Sequence, residues 1–216
     1  MWGKTLELSL MIFIVFVAFT YILDGSLALL TFSKSLAGTA AILIGASFAL
    51  SGFCYYFDFL DSKIGYRKYL GLMGFWFAFA YSISLLIVNP NRYLFGFFDN
   101  FFSLDYMLGL IAMAVFAFMA VISNAVAMKR LGPQNWRRAM RLGYGAWLLL
   151  AIRAYFLEGD VWFDWLQSFD SFPPSRLLLS IFVIAVLVFR LSVEVSKRIH
   201  KRNSDSAENV QPQTKT

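Results

Sequence analysis

Long apolar stretches separated by short polar segments make up most of this chain. Six stretches approach the roughly 20 residues that a helix needs to cross the hydrocarbon core of a bilayer. They are Leu6–Leu23, Leu36–Phe57, Tyr69–Val88, Leu104–Ser123, Ala139–Leu157 and Leu177–Val193. A helix satisfies its own backbone hydrogen bonds in hydrocarbon. The pattern therefore predicts an all-α, polytopic membrane bundle of six transmembrane helices over 1–202. The remaining segment, 203–216, has no apolar face to bury and is predicted to be a disordered cytoplasmic tail.

The first stretch has a second interpretation, because Lys4 precedes an apolar run, as in a secretory signal peptide. The run LSLMIFIVFVAFTYIL is long for the apolar core of a signal peptide, however, and no clear small-x-small cleavage site follows it. These features favour an uncleaved first helix.

Lysine and arginine are distributed asymmetrically among the predicted loops. Lys4, the loops at 58–68 and 124–138 and the tail carry most of them, whereas the opposite side holds three cations among a larger number of acidic residues. Because basic loops stay in the cytoplasm, both termini are expected to be cytoplasmic, which requires an even number of spans. The net charge of +6 then reflects topology and not nucleic-acid binding. The expected location is a bacterial inner (plasma) membrane.

Composition excludes a soluble domain and several kinds of site. Hydrophobic residues make up 59% of the chain and charged residues only 15%, which is typical of a membrane protein. The one histidine, His200, follows the last apolar stretch, and Cys54 is the one cysteine. An intramolecular disulfide and a multi-cysteine metal site are therefore excluded. We predict no metal site and no catalytic residues.

Two loops on the predicted outer side are rich in aromatic residues. They are Asn89–Ser103 and Glu158–Arg176. Aromatic side chains of this kind anchor loops at the membrane interface, and a docking surface for an outer-side or membrane protein partner is the alternative. The Pro173-Pro174 pair is expected to end any helix of the second loop before the last span begins.

A basic turn lies on the predicted cytoplasmic side. Arg137 and Arg138 follow Trp136, and Arg141 comes one turn later. We expect these cations to contact anionic lipid headgroups of the bilayer, and a cytoplasmic partner site is the alternative interpretation.

Two further arginines fall inside predicted spans. Arg190 lies near the inner end of the sixth span, where we expect its side chain to extend to the headgroups. Arg153 lies about four residues from the outer end of the fifth span, and either an interior partner or extension to the headgroups would satisfy it. Away from its ends, no predicted span contains the Asp or Glu expected of a proton or cation relay, which disfavours an ion-coupled transporter.

Two segments resemble the ferric reductase-like transmembrane domain family. YRKYLGLMGFWFAFAY (66–81) looks like the start of that family's third span. DYMLGLIAMAVFAFMAVISNAVAMKRLGPQNWRRAMRLGYGAWLLLAIRAYF (105–156) is similar to its fourth and fifth spans, including Trp136 before a basic turn and Arg-Leu-x-Tyr at 141–144. The resemblance covers about 36–193. It is strongest to the haem-binding membrane subunit of the periplasmic methionine sulfoxide reductase.

The resemblance implies haem b held by three histidines, and all three are missing here. The third-span histidine falls at Tyr81, and the two fifth-span histidines fall at Met140 and Arg153. Methionine and tyrosine can ligate haem iron, whereas a protonated guanidinium cannot. We therefore expect no haem and no other cofactor, with these three residues marking a vacated cofactor site.

Three functions stay open at this point. The first is a haem-free, ferric reductase-like membrane protein that acts as a binding, scaffold or accessory subunit. The second is a membrane electron-transfer component with an unconventional haem, or with quinone or flavin. The third is a component of a small-molecule transporter that uses the vacated haem cavity.

Arg153 and Tyr81 lie at similar predicted depths. A rise of 1.5 Å per residue places Tyr81 about 18 Å and Arg153 about 21 Å above the cytoplasmic ends of their helices. Without haem between them, the two side chains are expected to meet through a hydrogen bond or cation–π contact. The competing arrangement turns Arg153 outward to Glu158 or Asp160.

Overall fold

The structure, a computed structural model, describes residues 1–169 and 172–210, with the backbone alone at Asp58 and 200–210. The described part is helical and contains no strand. Its helices are α1 (Trp2–Asp24), α2 (Leu29–Tyr56), α3 (Tyr66–Val88), α4 (Phe97–Asn100), α5 (Leu104–Ile122), α6 (Ala125–Ser168) and α7 (Ser175–Val210). A 3₁₀ turn at Asp58–Lys63 and a π-helical turn at Asn91–Phe95 lie in the connections.

Five helical segments are long and apolar enough to cross a membrane. They are α1, α2, α3, α5 and the Ser175–Ile199 part of α7. These five coincide with five of the six predicted spans, so the predicted class, an all-helical integral membrane protein, is confirmed. The other predicted span, Ala139–Leu157, lies inside α6 and is not among the five. Arg141 and Arg153 lower the hydropathy of this stretch below that of the other helices.

Two breaks divide α6. Gly132 adopts a positive φ of 76° before Pro133, and Glu158 has a non-helical φ of −139°. A residue other than glycine would be strained at the first break. The section between the breaks, 133–157, is roughly 37 Å long at 1.5 Å per residue. It is therefore long enough to reach across the hydrocarbon core.

Helix α2 occupies the centre of the bundle. It packs against α1, α3 and α7, and α6 in turn packs against α5 and α7. Small residues cover much of α2, and those that are buried include Ser33, Ser35, Gly38, Thr39, Gly45, Ser47 and Gly52. Small side chains let helix backbones approach closely, and packing is the main source of helix association in lipid. The Thr20 hydroxyl also bonds to the Ser35 hydroxyl at 2.8 Å, which joins α1 to α2.

Trp147 of α6 fills the middle of this core. It is 1% exposed, and its indole makes edge-to-face contacts with Phe48 and Phe182 at centroid distances of 5.5 and 5.9 Å. An added Cβ on Gly45 would lie 2.8 Å from the indole. The absence of a side chain at Gly45 therefore makes room for Trp147 between α2 and α7.

Replacing Gly74 by alanine is expected to weaken the packing of α3 on α2. A Cβ there would lie 3.0 Å from the Ile44 main-chain nitrogen and 3.3 Å from the Ala40 carbonyl oxygen, so the backbones themselves would have to separate. Gly145→Ala is the matched control, because nothing lies within 4 Å of its Cβ position. Alanine favours helix over glycine by about 1 kcal/mol. Resistance to denaturation by sodium dodecyl sulfate should fall for Gly74→Ala and stay equal or rise for Gly145→Ala. Equal resistance of the two variants would contradict this packing.

The predicted outer loop at 158–176 contains the end of one helix and the start of the next. α6 continues beyond Glu158 and ends at Ser168, where Phe169 adopts a left-handed φ of 51°. The helix thus ends before Pro173-Pro174, and α7 begins directly after this pair, at Ser175.

Helix α7 extends past the last predicted span. It continues to Val210, through the first eight residues of the tail for which we predicted disorder. Elongating a helix that already exists avoids the cost of nucleation. The last six residues of the predicted tail lie outside the described residues.

Candidate functional site: two cavities in the bundle

Two cavities lie between the helices, one above the other. One has a volume of about 570 Å³ and the other about 430 Å³. We name them the outer and the inner cavity after the predicted sides of the membrane. Ile44 and Phe116 line both cavities and therefore form the wall between them. Both volumes fall in the range of small-molecule binding pockets.

The outer cavity brings together two of the three positions at which the ferric reductase-like resemblance would place haem ligands. Tyr81 and Arg153 both line it, as do Arg176 and Trp147. Most of the other lining residues are apolar or aromatic. This arrangement, an apolar chamber with a few polar groups, is typical of ligand pockets.

Arg153 is oriented by the main chain of α5. Its Nε donates to the Asp105 carbonyl oxygen at 2.8 Å. Its guanidinium also lies against Gly109, where an added Cβ would be 3.1 Å from Nε. The other guanidinium nitrogens of Arg153 have no hydrogen-bond partner and no ion pair among the described residues. They are therefore available to a ligand in the cavity.

The partner of Arg153 differs from both expected arrangements. Within the described part of the chain, no hydrogen bond or cation–π contact joins Arg153 to Tyr81, although both line the same cavity. Glu158 is not its partner either, because that carboxylate binds Arg176 at 2.6 Å. The physical reason is Gly109, whose missing side chain lets Arg153 reach the carbonyl of Asp105.

Three carboxylates at the outer end of the bundle, those of Asp24, Asp105 and Glu158, are paired with other cations. Arg92 binds the Asp105 carboxylate at 2.8 Å, and Lys34 binds Asp24 at the same distance. These pairs leave the guanidinium of Arg153 without a neutralising acid in the described residues. Such a charge is costly in low dielectric, so a bound anion or hydrogen-bond acceptor would stabilise it.

The inner cavity contains Met140, the third position that the resemblance assigns to a haem ligand. Met140 lines it together with Arg67, Lys68 and Trp136. The indole nitrogen of Trp136 donates to the Ile122 carbonyl oxygen at 3.0 Å, which fixes this part of α6 against α5. The cations and Trp136 lie at one end, and residues such as Phe48, Phe75 and Phe116 line the rest.

Arg190 contacts a side chain of a neighbouring helix, and its expected extension to the headgroups stays a prediction. Its Nε donates to the Tyr144 hydroxyl at 2.9 Å, and its guanidinium carbon lies 5.9 Å from the centre of the Tyr144 ring. Its Nη1 is buried and has no hydrogen-bond partner among the residues that the structure describes. Tyr144 on α6 provides an acceptor at the same depth, so this hydrogen bond joins α7 to α6. Sequence reasoning missed Tyr144, although its spacing of four from Met140 places both on one face of a helix.

The predicted basic turn is at the surface of the described structure. Arg137, Arg138 and Arg141 are exposed. Arg137 donates from Nε to the Pro133 carbonyl oxygen at 3.1 Å, and Arg141 lies 3.7 Å from the Glu194 carboxylate. Exposed pairs of this kind contribute little to stability. The expected contact of this turn with lipid headgroups stays a prediction.

Exposed phenylalanines project from the predicted outer loop at 89–103. Phe95, Phe98 and Phe102 are 74%, 85% and 83% exposed. This exposure agrees with an interfacial anchor and equally with a docking surface, so both interpretations stay open.

Comparison with known proteins finds no family model and no curated protein that matches this chain. The ferric reductase-like resemblance therefore rests on the sequence segments quoted above. Among the described residues, no group of three His, Cys, Asp or Glu side chains comes together in a way that could hold a metal ion.

The residues around the outer cavity do not fit a haem held between two helices. A haem held in this way has one axial donor from each of the two helices. The cavity offers Tyr81 and a guanidinium at the two positions that correspond to the family's ligands, and Arg153 stays protonated and cannot coordinate iron. Met140, the other possible ligand, lines the inner cavity.

Proposed function

We propose that this chain is a haem-free, ferric reductase-like protein of the bacterial inner membrane that acts as a binding or accessory subunit. Its outer cavity takes a mainly apolar small molecule that carries a carboxylate or another hydrogen-bond acceptor. The acceptor group binds Arg153, and the apolar part lies against the aromatic lining.

One observation carries this proposal. Arg153 lines an apolar cavity of about 570 Å³, and within the described part of the chain only one of its guanidinium nitrogens is bonded to protein. Charge-assisted hydrogen bonds to a carboxylate are about twice as strong as neutral ones, and they strengthen where water is excluded. A ligand with this chemistry would satisfy the guanidinium and fill the cavity together.

The absorption spectrum of the purified protein tests the haem-free part of the proposal. Protein produced in cells that are supplied with the haem precursor 5-aminolevulinic acid should have no Soret band. A Soret band at near-stoichiometric haem would favour the electron-transfer alternative, with Tyr81 as the candidate axial ligand, and would overturn the haem-free assignment. The Tyr81→Phe variant would then show whether this phenol ligates the iron.

Transport of a small molecule is the second candidate function. The two cavities lie on opposite predicted sides and share Ile44 and Phe116 as their wall. Two cavities that lie on opposite sides and share lining residues are an arrangement from which alternating access would begin. Uptake of the ligand into proteoliposomes would favour this function over simple binding. The uptake should be lost in the Phe116→Trp variant.

We further propose six spans with both termini in the cytoplasm, the sixth being residues 139–157 of α6. The basic loops on one side support this orientation. In a Cys54→Ser background, a thiol at Gln167 should react with a membrane-impermeant maleimide from the outer side of intact cells. A thiol at Gln134, which is also exposed, is the matched control and should react only after the membrane is opened. The reverse pattern would contradict the proposed orientation.

A further inference from the structure

Two cations line the outer cavity, and they differ in whether an acid neutralises them. Arg153 and Arg176 are the charged side chains among the described residues of its lining. Arg153 takes part in no ion pair within the described part of the chain. Arg176, in contrast, donates from Nη1 to the Glu158 carboxylate at 2.6 Å. The lining therefore holds one neutralised guanidinium and one that is not neutralised.

The Glu158–Arg176 pair lies at the margin of this cavity. Glu158 is at the second break of α6, where its φ is −139°, and Arg176 is the second residue of α7. Leu157, directly before Glu158, and Leu179, about one turn after Arg176, both line the cavity. The side chains of Arg176 and Glu158 are 45% and 28% exposed. The pair thus joins two helices beside the ligand space, and a ligand can approach it.

The other charges near Arg153 add little to the net charge of the cavity. Asp105, whose carbonyl oxygen accepts from Arg153, pairs its carboxylate with Arg92 at 2.8 Å. Asp160 and Asp164 follow in the outer loop and are exposed, so water and salt screen their charges. With these pairs cancelled, the outer cavity presents a single net positive charge, which Arg153 carries.

We infer that Glu158 is a specificity-determining residue: by neutralising Arg176, it restricts the outer cavity to ligands with a single negative charge. The inference rests on the proposed function, in which Arg153 binds the anionic group of the ligand. A monoanion such as a carboxylate matches the charge of Arg153 and leaves the Glu158–Arg176 pair intact. A dianion brings a second negative charge close to Glu158 with no free cation to balance it, and an unpaired charge is costly in apolar surroundings.

Dodecanoate and dodecyl phosphate test this inference, because they join the same alkyl chain to one and to two negative charges. At about pH 8 the phosphate ester carries nearly two charges, since its second pKa is about 6. Competition with radiolabelled dodecanoate in a scintillation proximity assay measures both affinities on the full chain. The ratio of the two affinities is compared among variants in one detergent, so that partition of the probes into micelles cancels. The wild-type protein should prefer dodecanoate.

Glu158→Gln should raise the affinity for dodecyl phosphate, relative to dodecanoate, about 10-fold, because Arg176 is then free to balance the second charge. The double variant Glu158→Gln/Arg176→Gln should return the ratio to its wild-type value. A purely structural role of Glu158 would not produce this reversal. Asp24→Asn is the matched control, because it removes an acid that pairs with Lys34 at the outer end and does not line the cavity. It should leave the ratio unchanged.

Several outcomes would overturn the role of Glu158 while leaving the proposed function in place. They are an unchanged ratio in Glu158→Gln, a rise that persists in the double variant, and an equal rise in Asp24→Asn. A wild-type protein that binds dodecanoate but prefers dodecyl phosphate would do the same, and this readout does not require any variant to fold. A wild-type protein that does not bind dodecanoate would contradict the proposed function together with this inference.

Discussion

Replacing Trp147 by alanine is expected to lower the free energy of unfolding by about 3–5 kcal/mol. The indole is 1% exposed and contacts Phe48 of α2 and Phe182 of α7. Its removal leaves a cavity that helices already in close contact cannot collapse to fill. Cys54 is the chain's one cysteine and is 8% exposed. Its rate of reaction with a maleimide in increasing sodium dodecyl sulfate therefore reports unfolding.

Trp76→Ala is the matched control for this prediction. Trp76 is 56% exposed and lies on α3, so its loss should lower the free energy of unfolding by less than about 1 kcal/mol. Equal losses for the two tryptophans would contradict the placement of Trp147 at the centre of the bundle.

Replacing Arg153 by glutamine is expected to weaken binding of a carboxylate ligand about 10- to 100-fold, because hydrogen bonds to charged groups contribute about 1.5–3 kcal/mol. Dodecanoate is a suitable probe, since it joins an apolar chain to a carboxylate. Its alcohol analogue, dodecanol, lacks the charge. A scintillation proximity assay with the two radiolabelled compounds measures both affinities on the same protein.

The wild-type protein should prefer dodecanoate, and Arg153→Gln should bind the two compounds equally. Lys34→Gln is the control, because Lys34 also carries a positive charge on the outer side but is paired with Asp24 and does not line the cavity. A preference for dodecanoate that survives Arg153→Gln would contradict the assigned role of this arginine.

The spans that could be predicted most directly from the sequence contain few internal charges. The apolar runs in α1, α2, α3, α5 and α7 identify helices because hydropathy summed over about 20 residues depends little on tertiary contacts. The α6 span was harder to delimit. Its two arginines lower the hydropathy, and the helix continues past Leu157 to Ser168 with a break at Glu158. A sequence window cannot show that a helix bends and continues.

The sequence singled out residues that line the cavities, but it did not determine the contacts of those residues. Tyr81, Met140 and Arg153 all line cavities, but the partners of the arginines could not be derived. Arg153 bonds to a main-chain carbonyl, and every residue has one, so this acceptor leaves no trace in the sequence. The Tyr144 acceptor of Arg190 depends on which face of α6 meets α7. Hydrophobic periodicity does not determine this face where apolar residues surround most of a helix.

Native mass spectrometry of the wild-type protein, released directly from its membrane, tests the central claim most directly. This method measures the mass of the protein together with any molecule that stays bound in the outer cavity. We predict a bound small molecule other than haem, present in the wild-type and Lys34→Gln proteins and reduced at least about tenfold in Arg153→Gln. A 1:1 haem adduct, or a bound molecule whose occupancy does not change in Arg153→Gln, would contradict a haem-free binding protein that acts through this arginine.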